Sequence, residues 1–324
     1  MKWCAWVVLP VMLASFTAQA QVVFEGADIL QEGDRLTAEV VQQGTPHSAY
    51  IAQTNQTDSH VSIEQKGYQL NGWVVQYYGT RSTVMVDQEG SFNYAGVAQS
   101  GRFEGDNHAR VQQNGTGNST SIRQYHGGNS FDARIDGNDN VIDELYMFEG
   151  NATTVVQQGN GNDIRWGYLW GGTAMFMQYG DANQIDFGAS YSTEIDQLSV
   201  EQRGTLNHAG LELANLGGTL NVIQVGDRND LSASISGAGN NVSSTSAGDD
   251  NRIELDVVGD ANLVSLQQSG IENAIDASLR ASSAGLSISQ SGGANNALVT
   301  LLDGAAGIYQ TGNSNVANIH QVIR

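Results

Sequence analysis

Residues 262–272 read Asn-Leu-Val-Ser-Leu-Gln-Gln-Ser-Gly-Ile-Glu, and the next eleven residues begin the same pattern again. Every second position from Asn262 to Gln268 is apolar or carries an amide, whereas a helix would place such residues three or four positions apart. The last four residues, Ser-Gly-Ile-Glu, interrupt the alternation with a glycine, as turns do. The segment therefore predicts one β-strand followed by a turn.

The eleven-residue pattern recurs through much of the chain. Asparagine marks it in two uninterrupted runs, and in the second run glycine keeps the same spacing three residues earlier. The runs are Asn118, Asn129, Asn140, Asn151 and Asn162, and then Asn229, Asn240, Asn251, Asn262 and Asn273. A fixed period of this kind indicates a stacked repeat architecture.

Two eleven-residue arms form a strand-turn-strand-turn rung of about 22 residues, which is the interval from Gly204 to Gly226. A single arm cannot bury its apolar face, but stacked arms can bury theirs against each other. We therefore predict an all-β fold, a β-solenoid of about a dozen stacked rungs between Gly44 and Gly312.

Amide side chains stand at both ends of the inward-facing positions of many arms. A lone asparagine beside a turn would need no further explanation, but phased copies favour ladders of stacked amides along the solenoid axis. Such ladders would fix the register and continue into an added chain. The predicted ladder and polymerisation residues are Gln88, Asn93, Gln99, Gln113, Asn118, Gln124, Asn229, Asn262, Gln268, Asn273, Gln290, Asn295, Gln310, Asn315 and Gln321.

The N-terminal residues read as a targeting segment. Residues 1–20 combine a basic start at Lys2, an apolar run and Ala-Gln-Ala, which predicts a secretory signal peptide with Gln21 as the mature start. The only cysteine, Cys4, lies within it, so the mature chain is expected to have no disulfide. We assign 21–43 to an N-terminal segment that is a candidate secretion-targeting stretch, and 44–324 to the repeat solenoid.

The charge balance excludes several partners. The chain carries 14 basic and 34 acidic residues, a formal net charge of −20. Nucleic acids and anionic membrane surfaces both attract basic residues, so neither is an expected partner. No stretch after the signal is apolar enough to cross a bilayer, so we expect no integral membrane segment in the mature chain.

The sequence contains no arrangement of residues that indicates catalysis. Nucleophile-elbow, phosphate-loop and zinc-protease motifs are missing, and the six histidines show no metal-ligand spacing. Acidic glycine turns such as Gly248-Asp249-Asp250 raise the alternative of calcium, but calcium-binding β-rolls repeat at about nine residues. Charged turns also slow premature aggregation. We expect no enzyme, cofactor or metal site; the rival in the enzyme class is a β-helix carbohydrate enzyme.

A second pattern points to a known family. The motif Gln-x-Gly-x-x-Asn-x-Ala-x-x-x-Gln occurs at 88–99 and again at 310–321, and 113–124 differs only in having Thr120 for alanine. This motif resembles the curlin repeat at every defining position. Partial copies in the same phase extend the resemblance over most of the mature chain, loosely before about residue 85.

The resemblance implies a secreted structural subunit of curli, the fimbrium-like extracellular amyloid fibres of bacterial biofilms that serve in surface adhesion. It implies as partners the protein itself, other curlin-like subunits, and an outer-membrane secretion pore with accessory factors, reached through the periplasm. Such subunits polymerise by end-to-end addition of β-strands.

Departures from the family pattern leave the role within such a fibre open. Apolar residues replace the last glutamine of several arms, as at Ile235, Val257 and Leu302. Both a major subunit and a nucleator fit the resemblance. The alternative function is a monomeric β-solenoid adhesin, or a fibre-associated protein, that does not polymerise.

Overall fold

A computed structural model describes residues 20–24, 26–101, 106–170, 172–188, 197–214 and 217–322. Its contacts divide the chain into an N-terminal unit, Met1–Gly161, and a C-terminal unit, Asn162–Arg324. Apart from Ala20, the predicted signal peptide lies outside the described residues. Every regular element in the described part is a β-strand, and none of its segments is a helix that could cross a membrane.

The N-terminal unit contains thirteen described strands in two sheets. They are β1 (Ala20–Phe24), β2 (Ala27–Asp34), β3 (Thr37–Gly44), β4 (Ser48–Thr57), β5 (His60–Tyr68), β6 (Asn71–Thr80), β7 (Thr83–Ser91), β8 (Tyr94–Ser100), β9 (His108–Thr116), β10 (Ser119–Tyr125), β11 (Ser130–Asp136), β12 (Val141–Phe148) and β13 (Ala152–Gln158). Even-numbered strands pair in parallel to form one sheet, the even wall, with β1 antiparallel on its outer edge. Odd-numbered strands from β3 onward form the odd wall.

The C-terminal unit alternates in the same way. Its described strands are β14 (Asp163–Trp170), β15 (Thr173–Tyr179), β16 (Gln184–Gly188), β17 (Leu198–Arg203), β18 (His208–Ala214), β19 (Thr219–Val225), β20 (Asp230–Ser236), β21 (Asn241–Ala247), β22 (Arg252–Val258), β23 (Leu263–Ile271), β24 (Ala274–Arg280), β25 (Gly285–Gly293), β26 (Asn296–Leu301), β27 (Ala305–Thr311) and β28 (Val316–Gln321). The even wall of this unit ends at β28, and its odd wall ends at β27.

The strand register gives the length of each rung. Arg252 pairs with Ala274, and this rung interval of 22 holds through the middle of the C-terminal unit. A loop insertion lengthens the interval to 25 between β7 and β9, and a deletion shortens it to 20 between β26 and β28. The predicted β-solenoid, with rungs of the predicted length, is confirmed.

The core lies between the even and odd walls of each unit. In β22, Ile253, Leu255 and Val257 are at most 2% exposed, whereas the residues between them face outward. This alternation is the period of two that the sequence carries, and it makes one face of each wall dry. Burying each such side chain contributes roughly 1.5–3 kcal/mol before the entropy of folding is subtracted.

Glycine is required where a turn of one rung lies on the turn of the next. Gly270 has φ of +119°, and a Cβ at this position would lie 1.9 Å from the carbonyl oxygen of Gly292. Close stacking of two turns therefore admits no side chain. This contact explains why glycine recurs at the rung period.

Parallel stacking begins before the segment assigned to the repeat domain. β2 pairs in parallel with β4, and β3 pairs in parallel with β5, both within or next to the 21–43 segment. Any secretion-targeting role of 21–43 stays a prediction. The strands of this segment already have the geometry of rungs.

Candidate functional site

Glutamine side chains form two inward-facing columns in the N-terminal unit. In the even wall, each Nε2 donates to the Oε1 of the next rung over 2.7–2.8 Å. The members of this column are Gln31, Gln53, Gln76, Gln99 and Gln124. The odd-wall column repeats the arrangement with distances of 2.8–2.9 Å. Its members are Gln42, Gln65, Gln88 and Gln113. Because the polar groups bond to each other, the amides can be buried at little cost.

Both columns end where the next rung lacks an amide. Gln124 Nε2 meets Met147 Sδ at 4.0 Å, a weak contact, and Gln113 Nε2 donates to Thr120 Oγ1 at 3.0 Å in the opposite wall. Ile135 occupies the odd-wall position after Gln113. The length of a column thus follows directly from the side chains at one position of each rung.

In the C-terminal unit, glutamine columns occur in the odd wall. Gln178, Gln202 and Gln224 are joined by bonds of 2.9–3.0 Å. After Ser246, whose hydroxyl lies 3.4 Å from Gln268 Oε1, a second column continues. It joins Gln268, Gln290 and Gln310 over 2.8–3.1 Å.

The even wall of the C-terminal unit has an apolar column instead. Its members are Leu213, Ile235, Val257, Leu279 and Leu301, all at most 1% exposed. The sequence assignment of Leu302 to this column was wrong, because Leu301 pairs with Leu279 and faces inward whereas Leu302 is 39% exposed. The column closes with an amide, since Gln321 pairs with Leu301.

Asparagines form a third kind of column where the even strands begin. In the C-terminal unit, each Oδ1 up to that of Asn295 accepts both the backbone N–H and the Nδ2 of the asparagine in the next rung, over 2.8–3.3 Å. The members are Asn162, Asn183, Asn207, Asn229, Asn251, Asn273, Asn295 and Asn315. Each Nδ2 up to Asn295 also donates to a carbonyl of the next turn, as from Asn251 to Gly270. These side chains therefore pair backbone groups that the turn would leave unbonded.

The other asparagine columns are shorter. The even wall of the N-terminal unit links Asn93, Asn118 and Asn140, and its odd wall links Asn107, Asn129 and Asn151. The odd wall of the C-terminal unit links Asn240 and Asn262. The first even-wall rungs have no asparagine at this position, where His47 and Leu70 stand instead.

The predicted ladder residues face inward. Thirteen of them are at most 6% exposed, and Asn315 and Gln321, in the last rung, are half-buried. The structure brings most of them together in columns, but Gln321 stacks on a leucine. The predicted ladder residues did not include five further members of the glutamine columns: Gln31, Gln42, Gln53, Gln65 and Gln76. Their signal was an Ala-x-Ile-x-Gln pattern at 27–31, with further glutamines following at close to the rung interval.

The last rung leaves both walls open. Ile308 and Gln310 are 8% and 6% exposed, and Ala317 and Ile319 are only half-buried, whereas matching side chains inside the stack are fully buried. Asn315 donates back to Asn295, and its own Oδ1 meets no donor within the described part of the chain. Among the described strands, none covers the outer edges of β27 and β28, which therefore present unpaired backbone groups, partly covered core residues and unextended amide columns.

The outward faces and the turns carry ionisable side chains. His208 lies between Asp230 and Asp186, at 2.7 and 3.1 Å, and the hydrogen bond to Asp230 raises the pKa of His208 above its ordinary value. In the turns, Asp227 and Asp249 each accept a backbone N–H from the previous rung. Within the described residues, no three acidic, histidine or cysteine side chains are grouped to hold a metal ion.

Aromatic side chains are exposed on the even wall of the N-terminal unit. Trp73, Tyr77, Tyr78 and Tyr94 are 37–56% exposed. A shallow cleft above Gly96 is lined by Trp73, Tyr94 and also Arg123.

Parallel rungs with buried amide columns define the chain as a two-walled β-solenoid. The family model of the curlin associated repeat matches residues 33–67 and 79–102, so these two stretches carry curlin-family repeats. The first matched stretch precedes residue 85, where the resemblance read from the sequence was loose. No curated protein matches the chain.

Proposed function

We propose that the protein is a secreted structural subunit of curli-like extracellular fibres, which add subunits end to end at the open β-solenoid rung. The curlin-repeat family supports a structural, self-assembling role. A parallel β-solenoid supports growth along the stacking axis. In this proposal the role is structural and not enzymatic, and the fibre contributes to biofilm matrix and surface adhesion.

The observation that carries the proposal is the open last rung. The edge strands β27 and β28 carry no proline and no lysine, two of the residues that commonly block sheet edges. Adding another rung would cover Ala317 and Ile319 and pair the free backbone groups. This mode of association is β-augmentation, in which main-chain hydrogen bonds provide affinity and side-chain stacking provides register.

Export and partners follow from the family as further parts of the proposal. The chain would leave the periplasm through an outer-membrane pore with accessory factors, after removal of residues 1–20. Its binding partners would be other copies of itself and other curlin-like subunits. Both the major-subunit and the nucleator roles are compatible with an open last rung.

Seeded polymerisation tests the proposal. Residues 21–324 are unfolded in denaturant and diluted, and amyloid-dye fluorescence is followed with and without preformed fibre seeds. A fibre subunit shows a lag that seeds abolish. A chain that refolds promptly to a monomer and ignores seeds would contradict the proposal.

Substituting the last rung tests the site. Replacing Gln310, Asn315 and Gln321 together by alanine should lengthen the lag, because the end of each amide column is lost. A matched control replaces the outward-facing Tyr309, Val316 and His320 by alanine. An equal lag in wild type and the amide variant would contradict the assignment of these residues.

A monomeric adhesin is the second candidate, and the exposed aromatic surface around Trp73 favours it. Flat arrays of exposed aromatic and apolar side chains commonly mark binding surfaces. Sedimentation velocity separates the two functions, because an adhesin keeps one sedimentation coefficient at all concentrations. A fibre subunit forms larger species as its concentration rises.

A further inference from the structure

The first and last complete rungs that the structure describes carry the same inward side chains in the even wall. Ala27, Ile29 and Gln31 alternate on the inner side of β2, and Ala317, Ile319 and Gln321 do so on β28. Between β18 and β26 the third position of this wall is always apolar. The return of glutamine in the last rung therefore restores the pattern of the first rung.

The odd wall shows the same correspondence. Its first strand, β3, presents Ala38, Val40 and Gln42 inward, and its last strand, β27, presents Ala306, Ile308 and Gln310. The inward residues of both strands are less buried than their counterparts inside the stack. Two strands that match in length, period and inward side chains can stack with apolar residues on apolar residues and amides on amides.

Gln321 has no amide partner within its own column. The residue paired with it in the preceding even strand is Leu301, and its Nε2 donates only to the carbonyl oxygen of Asp303 among the described groups. An amide above an apolar column has no side-chain hydrogen bond to the rung below it. It is well placed for a glutamine in the next rung.

The direction of the hydrogen bonds also matches. Within the columns, Nε2 of one glutamine donates toward the C-terminal rung, as Gln290 donates to Gln310 Oε1 and Gln42 donates to Gln65 Oε1. The last rung therefore ends in an Nε2 donor, and the first rung begins with an Oε1 acceptor. The two ends are complementary in hydrogen bonding as well as in shape.

We propose that a second copy of this chain docks its first rung on the last rung of the first copy, with Gln42 above Gln310 and Gln31 above Gln321. This register rests on the proposed function as a fibre subunit. It places β3 of one copy in parallel beside β27 of the other, and β2 beside β28. Because the contact joins two different surfaces along the stacking axis, each added copy leaves the same surface exposed, and the contact produces a polar filament.

The position of strand β1 determines which wall docks first. It lies antiparallel on the outer edge of β2, whereas no described strand covers the outer edge of β3. Docking therefore starts in the odd wall, at β3 and β27. β28 then takes the place of β1 beside β2.

Disulfide trapping tests the register. Two single variants of residues 21–324, Val41→Cys and Tyr309→Cys, are mixed, polymerised and oxidised; both positions face outward in the proposed pairing. In-register neighbours lie about 4.8 Å apart, within disulfide reach, and a shift of two residues increases the separation to roughly 8 Å, beyond it. The single natural cysteine, Cys4, lies outside residues 21–324. The second matched pair is Leu30→Cys with His320→Cys.

The account expects crosslinked heterodimers from both matched pairs. The shifted controls, Glu39→Cys with Tyr309→Cys and Asp28→Cys with His320→Cys, should give at least tenfold less. Fibres that crosslink the shifted pairs, or that yield Tyr309→Cys homodimers, would overturn the register while leaving the fibre function intact. Seeds that fail to elongate in wild type would overturn the fibre function and this register with it.

Discussion

The even walls of the two units reach the same backbone geometry with different buried columns. The N-terminal unit has a glutamine column of five members, from Gln31 to Gln124, beside the three linked asparagines that begin at Asn93. The C-terminal unit has eight linked asparagines, from Asn162 to Asn315, and an apolar column where the other unit has glutamine. Each even wall thus has one long amide column.

This difference shows which feature the fold requires. A solenoid rung accepts either an amide or an apolar residue at its third inward position, and the kind changes at only a few rungs, as from Gln124 to Met147 and from Leu301 to Gln321. A continuous amide column fixes register, because slipping would leave buried polar groups unpaired. The position of that column at the start or the end of the strand is interchangeable.

Breaking the asparagine column should have the largest effect. Asn251→Leu leaves the carbonyl of Gly270 and the N–H of Asn273 without their side-chain partners. At roughly 1–3 kcal/mol for each unpaired group, the free energy of local opening should fall by about 3–5 kcal/mol. Hydrogen exchange of peptides from β24, in unpolymerised protein, measures this loss.

The matched control is Ser265→Ala on the outward face, which should change the free energy of opening by less than about 0.5 kcal/mol. An Asn251→Leu variant with exchange as slow as wild type would show that the asparagine column does not hold the register.

A single break in the glutamine column should cost less. Gln76→Leu removes the partners of Gln53 Nε2 and Gln99 Oε1, with an expected loss of about 2–3 kcal/mol. Replacing all five glutamines of the column by leucine should cost far less than five times this value, as the apolar column of the other unit illustrates. Urea unfolding compares the variants, and strictly additive losses would refute the interchangeability of columns.

The reverse substitution sharpens the comparison. Val257→Gln places an amide between Ile235 and Leu279, both at most 1% exposed, and leaves it without an amide neighbour. We expect a destabilisation of about 2 kcal/mol by urea unfolding. Val258→Gln is the control, since Val258 is 42% exposed and should tolerate the change. Equal stability of both variants would count against the account.

The smallest expected effect is electrostatic and concerns the C-terminal unit. Because Asp230 and Asp186 raise the pKa of His208, the protonated ring stabilises the folded state fully below the ordinary pKa of 6.5, and this contribution is lost as pH rises through the raised value. Thermal unfolding between about pH 5.5 and 8.5 should show this decline, reduced in Asp230→Asn. An unchanged pH profile in that variant would exclude the pairing as its cause.

The repeat period made the fold predictable, because the eleven-residue spacing of asparagine and glycine reports directly on strands and turns. The N-terminal glutamines escaped prediction because most of their rungs are longer than twice that spacing and lack asparagine at His47 and Leu70. Leu302 was predicted at the inward position that Leu301 occupies, an error of one residue next to a short rung. The direction of the hydrogen bonds, and hence the match between the two ends, depends on side-chain orientation that spacing alone does not contain.

The central claim is that the chain polymerises along its own stacking axis. X-ray diffraction from aligned fibres of residues 21–324 tests it most directly. The account predicts a sharp reflection at about 4.8 Å along the fibre axis, because rungs of successive copies continue one stack. A reflection of about 4.8 Å perpendicular to the fibre axis would mean that solenoids associate side by side and would contradict growth at the open rung.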